Sequence, residues 1–252
     1  MKLNRILENR NLSKKGDSLK IFEKRISDSW YLEREIMIRK FSKKDQYQSR
    51  IQYIVFLVSC LEFFLEEIFK IAIDKNIISL KELRKFKKFK SLKFDLTDLE
   101  EINKNKIKLS EILAEEMNFQ NIKDIIVLLK SLNLDENYKL IPPKTRNFNL
   151  LKIKRGNIPK KKTSQNIEKN VVKFIVDSFG ADFALPKEED EFIKMFNTLK
   201  RMILLRHKII HKAQLIKLEN WESWAYSMAT AQFGYIVYAL YKLKKQNDKP
   251  KN

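Results

Sequence analysis

Hydrophobic positions along this chain recur mainly at helical spacing. Residues 18 to 43 carry Leu19, Ile21, Phe22, Ile26, Trp30, Leu32, Ile36, Ile38 and Phe41 among charged neighbours, which predicts a first long helix. The run from Gln46 to about Asp74 is apolar nearly all round, as expected of a central helix packed on more than one face. Leu80 to Lys93 then mixes seven basic residues with Phe86 and Phe89. Two readings stand open there: the Phe side chains face the core while the Lys face water, or the segment stacks bases and holds phosphates. Asp95 to Glu116 turns acidic with short helical patterns, and Phe119, Ile122, Ile125, Ile126, Leu128, Leu129 and Leu132 mark an amphipathic helix over 119–134.

Between Lys139 and Lys169 the periodicity stops. Ten basic residues and one acid occur there, with Pro142, Pro143, Gly156 and Pro159 breaking any regular helix. This predicts a basic, partly irregular insertion over about 137–170 within one domain spanning 1–252. It serves either as a clamp on an RNA backbone or as a solvated loop kept extended by its lysines. Regular structure is expected to return over Val171 to Phe179 and to break at Gly180 and Pro186. A helix then starts through Lys187-Glu188-Glu189-Asp190, whose acids complement its dipole.

In that helix Phe192, Phe196, Leu199 and Ile203 form one stripe, which Ile210 and Ala213 continue. Three residues past Ile203 stands Arg206, a guanidinium on an otherwise apolar face. Burying an unpaired Arg is costly, so Arg206 is either paired at a protein interface or part of a site.

Composition narrows the fold. Four Gly and five Pro in 252 residues are too few for the tight turns of an all-β protein, so an all-α fold is expected. Fifty-two Lys and Arg against 32 Asp and Glu give a net charge of +20, which makes nucleic acid the leading partner class; a Lys-rich solvated surface is the alternative. The single Cys60 sits in an apolar run and reads as a core residue in a reducing, cytoplasmic compartment. The basic N-terminal stretch lacks a following apolar core, so no secretory signal is expected.

No membrane role is expected either. The 11 uncharged residues from Ile51 to Leu61 are too short to span a bilayer, and the 19 from Ser223 to Tyr241 include Ser223, Ser227, Thr230, Gln232 and Gly234. A Gly-rich phosphate loop, paired metal-type cysteines and a Ser-His-Asp arrangement are all lacking, the chain holding only two His.

The segment Arg206-His207-Lys208-Ile209-Ile210-His211 resembles the Arg-x4-His signature of the HEPN superfamily, the higher eukaryotes and prokaryotes nucleotide-binding domains. It lies late in the chain, between a long apolar helix and the aromatic-rich WESWAYSMATAQFGYIVYAL. The segment SCLEFFLEEIF resembles the helix that carries an acidic residue in many members, which maps to Glu62, with Glu66 a comparable candidate.

The resemblance implies a helical bundle of HEPN type and a metal-independent endoribonuclease. In such an enzyme the ribose 2'-hydroxyl attacks the adjacent phosphate, leaving a 2',3'-cyclic phosphate and a 5'-hydroxyl. Arg206 would stabilise the phosphorane, His211 would move a proton, and His207, where Asn is frequent in the family, would be a second proton carrier. Lys208 and Lys212 beside the motif, and Lys160, Lys161 and Lys162 in the insertion, would hold RNA phosphates.

Residues five apart on an ideal helix point about 140° apart, so the resemblance also implies a homodimer whose motif helices pair into one composite cleft. Position 213 is Ala where some HEPN toxins carry a modified Tyr; a neutralising antitoxin or other protein is expected to act by another route. His207 and His211 also form His-x3-His, a possible metal pair, but with no neighbouring Cys or intervening Glu no metal site is assigned and no cofactor is expected. The remaining alternatives are a non-catalytic RNA-binding module and a helical adaptor for an acidic partner.

Overall fold

The structure is a computed structural model, and it describes residues 6, 18–38, 42–90, 92–132, 189–212 and 217–247. Among them the fold is all-α, without a strand. The helices are α1 (Ser18–Ile38), α2 (Lys43–Asp74), α3 (Leu80–Leu83), α4 (Lys87–Lys90), α5 (Leu96–Lys104), α6 (Leu109–Glu115), α7 (Ile122–Ser131), α8 (Glu189–Lys212) and α9 (Asn220–Asn247). The cationic insertion at about 137–170, with Lys160, Lys161 and Lys162, lies outside the described residues, as do Val171 to Phe179, Gly180, Pro186 and Ala213.

The nearly all-round apolar α2 is the hub: α1, α6, α8 and α9 all pack against it. Tyr53, Ile54, Leu57, Leu61, Phe64, Leu65, Ile68 and Phe69 are buried along its length. Ser42 caps its start, accepting from the Asp45 N–H at 3.2 Å. Its end turns at Asn76, whose φ of 55° is one that Asn tolerates better than most residues. Ile77 then returns its N–H to the Ala72 carbonyl at 2.8 Å. α1 is described as far as Ile38; residues 39–41, which the hydrophobic pattern also assigned to this helix, lie outside the described residues.

Phe89 is buried on Phe69, their centroids 6.2 Å apart, and Phe86 packs against the core, so the basic 80–93 segment turns its rings inward. Cys60 is also core. Burial pushes its thiol up to about 12 against a smaller pull from Arg25, so it stays protonated. No described helix is long and apolar enough to cross a membrane.

Two buried cations tie distant elements together. Arg50 on α2 donates from Nη1 to the Leu218 carbonyl at 2.8 Å and from Nη2 to Asn220 Oδ1, which fixes the start of α9. Lys244 near the end of α9 donates to Glu82 Oε1 at 2.8 Å and to the Ser131 carbonyl at 2.6 Å, closing α3 and α7 onto α9.

α8 and α9 run antiparallel. Phe196 meets Phe233 at 5.7 Å between centroids, and the Thr230 hydroxyl donates to Met202 Sδ at 3.4 Å. That register brings the last turns of α8 level with the first turns of α9.

Candidate functional site

On α8 the apolar stripe buries Phe196, Leu199 and Ile203 and then gives way to Arg206, which is half-buried. The continuation expected at Ile210 does not hold: this residue is 46% exposed, while Ile209 beside it packs against the core, so the covered face of α8 has moved off the stripe.

Arg206 Nη1 donates to Gln120 Oε1, and Gln120 Nε2 donates to Glu62 Oε2. The side-chain amide thus joins the guanidinium on α8 to the carboxylate on α2. The Arg206 Nε is buried without a hydrogen-bond partner.

Gln120 sits in the turn between α6 and α7, and the turn is firmly held. Phe119 is buried edge-on against Phe69 at 6.0 Å between centroids. The Gln120 N–H donates to Asn118 Oδ1 at 3.1 Å, while the Asn118 N–H donates to Asp124 Oδ2 at 2.6 Å. Lys88 neutralises that carboxylate at 2.6 Å.

Sequence reasoning missed Gln120. Its neighbours Asn121, a helix cap, and the apolar run after it are readable locally, but its partners lie 58 and 86 residues away.

His207 and His211 are exposed one turn apart, their ring centroids 4.2 Å from each other. Lys208 and Lys212 are exposed beside them. One chain therefore brings Glu62 and Arg206 together through Gln120, and His207 and His211 together, while the inward Arg206 and the outward His211 stay on different sides of α8. Among the described residues no group of three or more His, Cys, Asp or Glu is placed to hold a metal ion.

Glu62 and Glu66, equivalent in sequence, separate in space. Glu66 pairs with Lys70 at 2.6 Å and lines a cavity of about 190 Å³ shared with Glu67, Asp74, Lys108 and Glu111. Burial pulls the Lys70 pKa down, but Glu66 and Glu67 outweigh it and raise it. This concavity includes none of the motif residues, and its excess of acids suits no phosphate backbone.

No family model matches the sequence, and no curated protein or solved structure matches the chain.

Proposed function

We propose that the protein is a metal-independent endoribonuclease of the HEPN kind, acting as a homodimer. The observation that carries this reading is the support built around the motif arginine: a half-buried guanidinium oriented by Gln120 and Glu62, two turns of helix that also bear His207 and His211. A fixed planar cation suits the charge that develops on a phosphorane, and an imidazole titrates near neutrality.

In the reaction, an imidazole takes the 2'-hydroxyl proton as the 2'-oxygen attacks phosphorus. The P–O5' bond breaks, and the leaving oxygen takes up a proton from a second acid. His211 and His207 are the proton carriers, Arg206 holds the phosphorane oxygens, and Lys208 and Lys212 bind flanking phosphates. A second copy of the chain supplies the imidazoles that face a given Arg206. A cytoplasmic role in prokaryotic anti-phage defence or as a toxin, restrained by a neutralising protein, accompanies this reading.

The test incubates wild type, Arg206→Ala and His211→Ala with total RNA and a labelled tRNA in EDTA, with dimer mass and helicity measured alongside. Cleavage to 2',3'-cyclic phosphate ends by wild type, lost in both folded variants, supports the enzyme. Intact RNA with retained binding supports a non-catalytic RNA-binding module instead. That second reading draws on the engagement of Arg206 with Gln120, away from His211 in the same chain.

A further inference from the structure

The cavity of about 190 Å³ between α2 and α6 is an acidic site in a chain of net charge +20. Glu66, Glu67 and Asp74 of α2 and Glu111 and Glu115 of α6 line it, against two ammoniums, Lys70 and Lys108. Five carboxylates less two cations leave its described walls at a net −3. Both lysines are engaged within the walls, Lys70 with Glu66 at 2.6 Å and Glu67 at 3.3 Å, and Lys108 with Asp74 at 3.0 Å. The surplus of negative charge therefore faces the cavity.

A second, independent feature belongs to the same walls. Ser110 is 1% exposed, and its Oγ is buried without a hydrogen-bond partner. Burying a hydroxyl unpaired is costly, and this one lines the cavity, where a ligand N–H satisfies it. The α2 wall also alternates in character. Glu67, Ile71 and Asp74 follow at i, i+4 and i+7 on one helix face, so carboxylate, apolar side chain and carboxylate succeed one another over about 10 Å. Ile6 adds a second apolar side chain. The Asp74 end lies at the C-terminus of α2, where the helix dipole favours a cation.

We infer that this cavity binds an aliphatic diamine. Its two ammoniums meet the carboxylates at either end, its methylenes lie against Ile71 and Ile6, and one N–H donates to Ser110 Oγ. A hydrated metal ion fits less well: among the described residues no group of three or more His, Cys, Asp or Glu is placed to hold one, and isoleucine walls offer it no ligand. An anion is repelled. The cavity shares no residue with the cluster of Arg206, Gln120 and Glu62, so the inference goes beyond the ribonuclease reading and stands without it.

The experiment titrates the full chain with putrescine by isothermal titration calorimetry, with butylamine and magnesium chloride at matched ionic strength as comparisons. Putrescine is expected to bind saturably at one per chain. Butylamine, with a single ammonium, should bind at least roughly tenfold more weakly, and magnesium should not displace putrescine. Glu67→Gln and Asp74→Asn, one at each end, should each lower putrescine affinity roughly tenfold. Ser110→Ala removes a hydroxyl that has no partner, so the ligand-free thermal midpoint is expected to hold or rise while putrescine affinity falls about three- to tenfold. Putrescine should also raise the wild-type midpoint, as a ligand of the folded state does. Equal affinity for the two amines, or displacement by magnesium, overturns the site and leaves a diffuse acidic patch. So does unchanged affinity in all three variants, or the absence of saturable binding to wild type. Binding that emerges only when Lys2→Ser and Arg5→Ser are introduced overturns it as well, assigning the carboxylates to basic residues that precede Ile6 in the chain.

Discussion

Gln120 gives its amide oxygen to Arg206 and its amide nitrogen to Glu62, and no other natural side chain of that length offers both a donor and an acceptor. Gln120→Ala leaves Arg206 Nη1 without this acceptor beside an Nε that is already buried and unpaired. The guanidinium then loses its fixed direction. If Arg206 must meet a phosphorane, a misplacement of about an ångström lowers the cleavage rate by roughly 10- to 100-fold with KM little changed. Glu62→Gln should act in the same sense and Glu66→Gln should not, since Glu66 serves Lys70. The measurement is kcat and KM beside thermal midpoints; a Gln120→Ala protein that cleaves at the wild-type rate would show that Arg206 needs no such support. Arg206 was legible in the sequence as a cation interrupting an apolar stripe. Gln120 was not, because a polar residue in a turn carries no periodic signal and its partners are set only by where the α6–α7 turn meets α2 and α8.

Between elements, α9 comes close to α1 at Gly234. A Cβ on Gly234 would lie 2.3 Å from Phe22 Cε1 and 2.6 Å from Cζ, and the Phe22 ring is itself stacked on Phe64 at 4.4 Å between centroids. Gly→Ala within a helix ordinarily gains ~1 kcal/mol, but overpacking a filled core costs about 1–3 kcal/mol, and the 2.3 Å approach puts this site in the upper part of that range, so Gly234→Ala is expected to destabilise by roughly 1–2 kcal/mol. Adding Phe22→Leu makes room, and the pair should be distinctly less unstable than the sum of the single changes. Urea denaturation of the four proteins checks this; strict additivity would mean that α1 can shift away at little cost. The helices themselves were legible because their apolar positions repeat locally: α2 announced itself by being apolar on nearly every face. The limits of their packing were not. Ile210 continues the α8 stripe in sequence yet stands 46% exposed while Ile209 packs against the core, since periodicity says which residues share a face and not how much of it the neighbouring helices cover.

Across the whole molecule, the number of phosphates that its excess cations neutralise, out of a net charge of +20, fixes how any nucleic-acid affinity responds to salt. Each phosphate contact on a single strand contributes about −0.7 to the slope of log K against log salt. Contacts from Arg201, Lys208 and Lys212 on α8 and from Lys160, Lys161 and Lys162 in the cationic segment would therefore give a slope near ~−4, a loss of roughly a few hundredfold between 50 and 200 mM salt. The triple change Lys160→Ala, Lys161→Ala and Lys162→Ala separates the two roles open to that segment. If it clamps the backbone, the slope for an all-deoxy oligonucleotide falls to about −2. If it is only a solvated loop, the slope stays near the wild-type value, since distant charges are screened beyond about 10 Å at 0.1 M salt. A slope near zero for wild type itself would remove nucleic acid as the partner, leaving the excess lysines as an ordinary hydrated surface around an all-α core.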